Sequence, residues 1–588
     1  MHAKGTPRMI RILVSTLAAL GLHASFAQSD GAGFVPVTDA MLSDPAPADW
    51  LTWRRTLSGW GYSPLDGIDR GNVAALRMVW TRPLQAGIQE GTPVVYDGVM
   101  YFPNPGDVIQ ALDAADGELI WEYVRPLPPD LGEYGSLVNI TRNIAIYGRT
   151  LIDASSDGHL FDVDAQTGEL VWETQIADFR EHFRQHSSGP IIANGTGFAG
   201  ANCQPRGGPE ACMITAHDAG TGEELWRTYT IPRPGEPGYE SWGEVPYEGR
   251  WHVGTWMPPS YDPDLDRLYI GTSVTAPAPK YMLAGADERY LYHNSTLAMD
   301  GATGQIVWYY QHNVDHWDLD HPFERMLVDT AVAPDPDAVE WISPNIRAGE
   351  TRRVVTGIPG KTGIVYTLDR ETGEFLWATP TVEQNVIAGI DPATGAVSVE
   401  PGQIYTGAEQ SRFICPSMTG GKNWPAGAYS PETNTMYMPL QNSCMNAAST
   451  LEEPDPSLLY TLDWDFEITP GTENLGVVQA IAADTGETRW TYEQRAGTMS
   501  LVATGGGLVF GGDTNGYFRA FEQASGEVLW EVNIGSEVTG YPVTYAVDGR
   551  QYVAVSTGTS SLTVRLTDLT PELNPGTANN LFVFALPD

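Results

Sequence analysis

Positive charge is in short supply in this 588-residue chain. It has 33 Lys and Arg against 73 Asp and Glu, a formal net charge of −40. Phosphate recognition needs a basic face, so nucleic acid is excluded as a partner, and an anionic membrane surface is equally unfavourable. The acidity fits either a solvated surface or the steering of a basic protein partner. Cysteine is scarcer still, with only Cys203, Cys212, Cys415 and Cys444. No C-x-x-C occurs, which excludes a zinc ribbon and a covalent haem attachment site. Long apolar runs are missing too. The best, residues 12–22 (ILVSTLAALGL), is too short to cross a membrane comfortably. Lys4, Arg8 and Arg11 precede it, and Ser25-Phe26-Ala27 follow with small residues at −3 and −1. Residues 1–27 therefore read as a signal peptide cut before Gln28, exported by the general secretory route because no Arg pair precedes the run. A periplasmic or secreted chain with an even number of cysteines favours disulfides, and Cys203–Cys212 with Cys415–Cys444 is the simplest of the three connectivities.

What is present in quantity is a repeat. One phrase recurs as ALDAADGELIW (111–121), DVDAQTGELVW (162–172), AHDAGTGEELW (216–226), AMDGATGQIVW (298–308), TLDRETGEFLW (367–377), AIAADTGETRW (480–490) and AFEQASGEVLW (520–530). A degenerate copy ends at Trp80. Each has an apolar strand end, an acidic or Ser-containing turn closed by Gly, and a second strand ending in Trp, which is a β-hairpin signature. The shortest spacings between these tryptophans suit one four-stranded blade, and the longer ones a blade plus an inserted loop. Each Trp is expected to wedge between neighbouring blades, with the Gly allowing the approach. The reading is an all-β chain, with residues 28–588 as a single eight-bladed β-propeller closed by pairing of LFVFAL near the C-terminus with strands near the N-terminus. The loops at 131–143, 233–256, 274–295, 312–353 and 443–474 are too long for simple turns and are where a site would be built.

The Trp-ended repeats, with DWLTWRRTLSGWGYSPLDGI, QEGTPVVYDGVMY, HVGTWMPPSYDP, VDHWDLDHP, GKTGIVYTLDR, GGKNWPAGAYSP and GRQYVAVSTG in that order, resemble the pyrroloquinoline quinone (PQQ) dependent alcohol dehydrogenases from about Asp49 onward. The resemblance implies that Asp318 is the base for the substrate hydroxyl, since oxidising an alcohol removes O–H as well as C–H. It implies that Trp256 floors the planar quinone, that Glu90, Arg142, Ser155, Asn423 and Trp424 contact PQQ, and that Lys361 polarises the quinone oxygens. It implies one metal ion, Ca²⁺ or a lanthanide, held by Asn202, Asp318 and Asp320. Electrons would leave to an external acceptor such as a basic cytochrome c. It also pairs Cys415 with Cys444. Three departures stand out. Ser136 and Leu137 occupy the positions of a vicinal cysteine pair found in methanol-oxidising members. Asn202 replaces a metal-binding Glu, and Val274 replaces a metal-binding Asn. The missing cysteine pair, the long loops and Trp242, Trp251, Tyr281 and Trp464 suit a bulky secondary alcohol, a polyol or a polymeric alcohol. The alternatives are a non-catalytic propeller scaffold and a carbohydrate-binding protein using the same mouth.

Overall fold

The computed structural model describes residues 33–135, 139–204, 207–283, 288–314, 316–453, 458 and 460–587. Residues 1–35 and 36–588 are separate units, and of the first only Gly33–Val35 are described. The signal peptide and the positions Ser136 and Leu137 lie outside the described residues.

Among the described residues, eight sheets of four or five strands follow one another along the second unit. The first shows why. Val94–Tyr96, Val99–Asn104 and Val108–Asp113 pair in sequence and are buried almost throughout, while Leu119–Val124 at the outer edge alternates between exposed and half-buried residues. A sheet covered on both faces reads as a continuous apolar run, and a sheet edge reads as alternation. The repeat phrase supplies the third and fourth strands. In every copy the pairing skips one residue just before the Trp, as between Ala111↔Trp121 and Leu112↔Leu119. This is the bulge expected of a turn closed by a left-handed Gly. Asp164 shows how the turn is held: its Oδ1 accepts from the backbone N–H groups of Gln166 and Thr167.

The turn glycines explain the wedge. A Cβ on Gly168 (φ +73) would lie 2.6 Å from the ring of Trp121, which belongs to the preceding sheet. The same close approach pairs Gly117 with Trp80, Gly222 with Trp172, Gly304 with Trp226, Gly373 with Trp308 and Gly526 with Trp490, while at Gly486 Val339 comes nearer and Trp377 lies at 3.2 Å. Several indoles also donate to the next repeat, as Trp121 Nε1 does to Ala165 O at 3.0 Å. Seven of these tryptophans thus dock on a neighbour's turn, while Trp530 packs edge-on against Phe584 of the sheet that joins the two ends. The last of the eight sheets in chain order joins the two ends of the unit: Asn580–Ala585 lies between Arg77–Pro83 and Arg550–Thr557. The expected pairing of LFVFAL with an N-terminal strand is present. Both expected disulfides, Cys203–Cys212 and Cys415–Cys444, are also present.

Strands in such a sheet alternate in direction, so second-to-third connections and the crossings to the next sheet emerge on one side. The Trp-bearing hairpins turn on the other. Docking and the long loops are thereby segregated to opposite ends of the strands.

Candidate active site

The long connections converge on a cavity of about 300 Å³. Glu90, Arg142, Trp256, Asp318, Asp320 and Trp424 reach it from segments that cross between sheets. Asn202, Lys361, Tyr460 and Arg565 reach it from second-to-third strand connections. Residues scattered over some 475 positions of the chain are brought to one hole because the fold returns to the same side in every sheet.

A buried ion triad forms one wall. Lys361 Nζ lies 3.0 Å from Asp318 Oδ1 and 2.8 Å from Asp320 Oδ1, and donates to the Asp318 carbonyl at 3.1 Å. Burial disfavours the ammonium, but Asp318 and Asp320 outweigh it and hold the Lys361 pKa above its ordinary value. The Trp256 indole donates to the other Asp320 oxygen at 3.2 Å, and the Tyr460 hydroxyl donates to Asp318 Oδ1 at 2.8 Å. Asp318 itself is in the left-handed region (φ +64), a conformation that a non-glycine residue holds only when its surroundings fix it.

A second buried ion pair lines the same cavity. Arg142 is 2.5 Å from Glu90 and donates to Ser187 Oγ at 2.6 Å. Burial raises the Glu90 pKa, with Arg142 pulling against it. The Arg142 guanidinium lies 5.0 Å from the Trp256 ring centre and 5.8 Å from that of Trp424. Asn423 lines the cavity with its amide committed internally: Nδ2 donates to Thr419 O and Oδ1 accepts from Trp424 N–H. It fixes the Trp424 backbone. Behind this loop, Glu324 accepts from Lys422 Nζ at 2.7 Å and from Gly427 N–H at 2.8 Å, tying the Trp424 segment to the Asp318–Asp320 segment.

Of the residues picked from sequence, Glu90, Arg142, Asn202, Trp256, Asp318, Asp320, Lys361, Asn423 and Trp424 all line this cavity. Ser155 does not. It is fully buried at the end of strand Thr150–Ser155 and hydrogen-bonds Asp107 and the Asp157 N–H instead. The expected aromatic wall also differs. Trp242, Trp251, Tyr281 and Trp464 do not line the cavity; Trp242 packs on Tyr290 in the apolar cluster that includes the Cys203–Cys212 disulfide. The aromatic that does line it from the 443–474 insertion is Tyr460, which packs edge-on against Trp464. His252 and Arg565 are further lining residues that sequence reasoning did not select.

The donor set suits the cofactors that the sequence suggests. A planar tricarboxylate needs cations and a flat apolar floor, and Arg142, Lys361, Arg565, Trp256 and Trp424 provide them. For a hard cation, two carboxylates already converge on one positive centre, and Asn202 Oδ1 is buried with no hydrogen-bond partner among the described residues.

Comparison with known proteins places this architecture. Residues 50–398 and 494–553 match the PQQ-binding β-propeller domain of glucose, ethanol and alcohol dehydrogenases. The chain is 31% identical to the dehydrogenase subunit of a quinone alcohol dehydrogenase from Komagataeibacter europaeus, covering 92% of this chain and 76% of the relative. It is 30% identical to the quinoprotein alcohol dehydrogenase PedH of Pseudomonas putida, covering 92% of each. Among solved structures, the quinohemoprotein alcohol dehydrogenase ADHIIG of Pseudomonas putida HK5 superposes with a TM-score of 0.80 at 27% identity, over 94% of this chain and 83% of that one. A europium-containing methanol dehydrogenase shares the fold with a TM-score of 0.82 at 23% identity, over 93% and 100%. The chain belongs to the PQQ-dependent quinoprotein alcohol dehydrogenases, oxidoreductases built on a β-propeller.

Proposed function

We propose that the cavity binds PQQ beside one hard cation and oxidises a bulky secondary alcohol or polyol to the carbonyl compound. The observation that carries this reading is the convergence of Asp318, Asp320 and Lys361 on one point of a cavity floored by Trp256. Asp318 is the base. One of its oxygens is anchored by Lys361 and Tyr460, so the carboxylate is oriented before an alcohol enters, and a positioned base is worth roughly 10²–10⁴-fold. PQQ, when bound, supplies the two-electron sink. Lys361 then provides positive charge where negative charge develops, and Arg142 with Arg565 neutralises carboxylates. Asn202, Asp318 and Asp320 would hold the cation, Ca²⁺ or a lanthanide, through oxygen donors alone. Electrons pass to an external acceptor, a basic cytochrome c on the evidence of the chain's charge. The protein works in the periplasm after export; among the described residues no helix is long and apolar enough to cross a membrane.

Reconstitution tests the reading. Purified protein is given PQQ with Ca²⁺ or La³⁺, and dye reduction is followed over primary, secondary and polyhydric alcohols. PQQ uptake with metal-dependent turnover is expected, and Asp318→Asn should keep PQQ yet lose turnover by at least about 100-fold. Absence of PQQ uptake with either metal would overturn the proposal.

A further inference from the structure

His252 stands out in the cavity wall. Its backbone is left-handed (φ +65), a region uncommon for residues with a Cβ, though His enters it more readily than most. Its side chain is 2% exposed and lines the cavity. Nδ1 lies 3.2 Å from the Val274 carbonyl, which can only accept, so Nδ1 carries the proton and Nε2 carries a lone pair. Nε2 has no hydrogen-bond partner among the described residues. The ring is held edge-on to Tyr460, at 6.4 Å and 90°, and the Tyr460 hydroxyl bonds Asp318. Burial pushes the imidazole pKa down to about 4, so the ring is neutral at physiological pH.

A buried acceptor without a partner is costly, and the cost is recovered when a ligand brings a donor. The other acceptors of this wall have partners or a role already: Asp318 Oδ1 meets Lys361 and Tyr460 while its second oxygen serves the reacting hydroxyl, Asp320 meets Lys361 and Trp256, and Glu90 meets Arg142. Asn202 Oδ1 is assigned above to the cation. The charged groups lining the cavity balance formally, Glu90, Asp318 and Asp320 against Arg142, Lys361 and Arg565, so a neutral donor reaches His252 without bringing an unpaired charge into the site. A hydroxyl meets that requirement.

We infer that His252 Nε2 is a second substrate anchor, accepting a hydrogen bond from a hydroxyl other than the one oxidised, so that diols and polyols are the preferred substrates. This rests on the proposed alcohol oxidation at Asp318 and names the substrate class for that site. His252 is a specificity residue: it binds the hydroxyl that does not react, and Tyr460 sets the angle between anchor and base. Sites built to bond a substrate hydroxyl discriminate strongly against the analogue that lacks it.

The test uses PQQ-loaded protein and matched pairs: 1-propanol with 1,2- and 1,3-propanediol, and 2-butanol with 2,3-butanediol. Wild type should favour the best diol of each set by at least about tenfold in kcat/KM. His252→Phe keeps an aromatic ring without the lone pair, and should bring that ratio to within about twofold of one, chiefly through a higher KM for the diol. His252→Gln places Oε1 near the Nε2 position and should restore the preference. His252→Gly, which relieves the backbone, guards against a folding defect in the Phe variant and should also lose the preference. PQQ absorbance is read in every variant. Equal use of diol and mono-alcohol by wild type, or an unchanged ratio in both the Phe and Gly variants, overturns the inference. Loss of metal-dependent PQQ uptake in those variants overturns it as well, and makes His252 a metal ligand, because a ring nitrogen set by a carbonyl at its other nitrogen is also how metal-binding histidines are oriented. A wild type that binds PQQ but oxidises none of these alcohols brings down the proposed function itself, a result distinct from the others.

Discussion

At the scale of single residues, Asp162 carries the clearest pH signature outside the cavity. It is 1% exposed, its Oδ1 has no partner among the described residues, and burial pushes its carboxyl pKa up to about 8. The unfolded chain gives up that proton near pH 4, whereas the folded chain keeps it until about pH 8. The folded state therefore binds the extra proton throughout that window, and stability falls as pH rises across it. Asp162→Asn should raise urea resistance at pH 8 by on the order of 1–2 kcal/mol and change it little at pH 4, as measured by equilibrium unfolding. Legibility from sequence divides along the same lines. Asp318, Asp320, Lys361 and Trp256 are legible only because VDHWDLDHP, GKTGIVYTLDR and HVGTWMPPSYDP resemble phrases of the PQQ-dependent dehydrogenases; by residue type alone an Asp pair beside Trp fits a solvated turn as well. Tyr460 was not legible: it meets Asp318 across 142 positions, from an insertion with no repeat of its own. His252 escaped because its significance is a backbone angle and an unpaired nitrogen, neither of which is written in HVGTW. Ser155 was misplaced because a hydroxyl in a strand serves a neighbouring carboxylate as readily as a cofactor.

At the scale of elements, the hairpin that ends in Trp is the unit of stability. Gly168→Ala meets both a left-handed backbone and the face of Trp121, and should cost about 2–4 kcal/mol. Gly106→Ala shares the positive φ (+82) but has nothing within 4 Å of its added Cβ, so it should cost only about 1 kcal/mol. Comparing the two by chemical denaturation isolates the docking contribution. The Cys415–Cys444 bridge closes a 29-residue separation beside the Trp424 loop, and its double Ser variant should lose about 3–4 kcal/mol and weaken PQQ retention. These hairpins were readable because Asp, Gly and Trp recur at fixed offsets. The turn at Asp391–Gly395 passed unnoticed, because Val399 stands where the Trp would be, yet it builds the small sheet of Ile387–Ile390 and Val397–Val399. The helix Ser561–Asp568, which carries Arg565 to the cavity, was equally hidden. Its β-branched residues read as strand, and its start is fixed by a reciprocal Ser560–Thr563 cap with a hydroxyl where a carboxylate usually stands.

At the scale of the whole molecule, the net charge of −40 acts on encounter and leaves the chemistry alone. Reduction of a basic cytochrome by the loaded enzyme should slow about tenfold or more between 10 mM and 500 mM salt. Reduction of an uncharged dye should hold nearly constant over the same range. An acceptor rate indifferent to salt would show that the acidic surface serves solubility alone.

The sheet that stitches Arg77–Pro83 to Asn580–Ala585 has a consequence in time. Asn580–Ala585 is an interior strand of that sheet, flanked by one made about 500 residues earlier. Pairings of such long range form slowly. Until Asn580–Ala585 arrives, Arg77–Pro83 lacks its strand partner. An unpaired strand edge is where wrong pairing begins, so the interval before this sheet closes is when the chain is most open to aggregation.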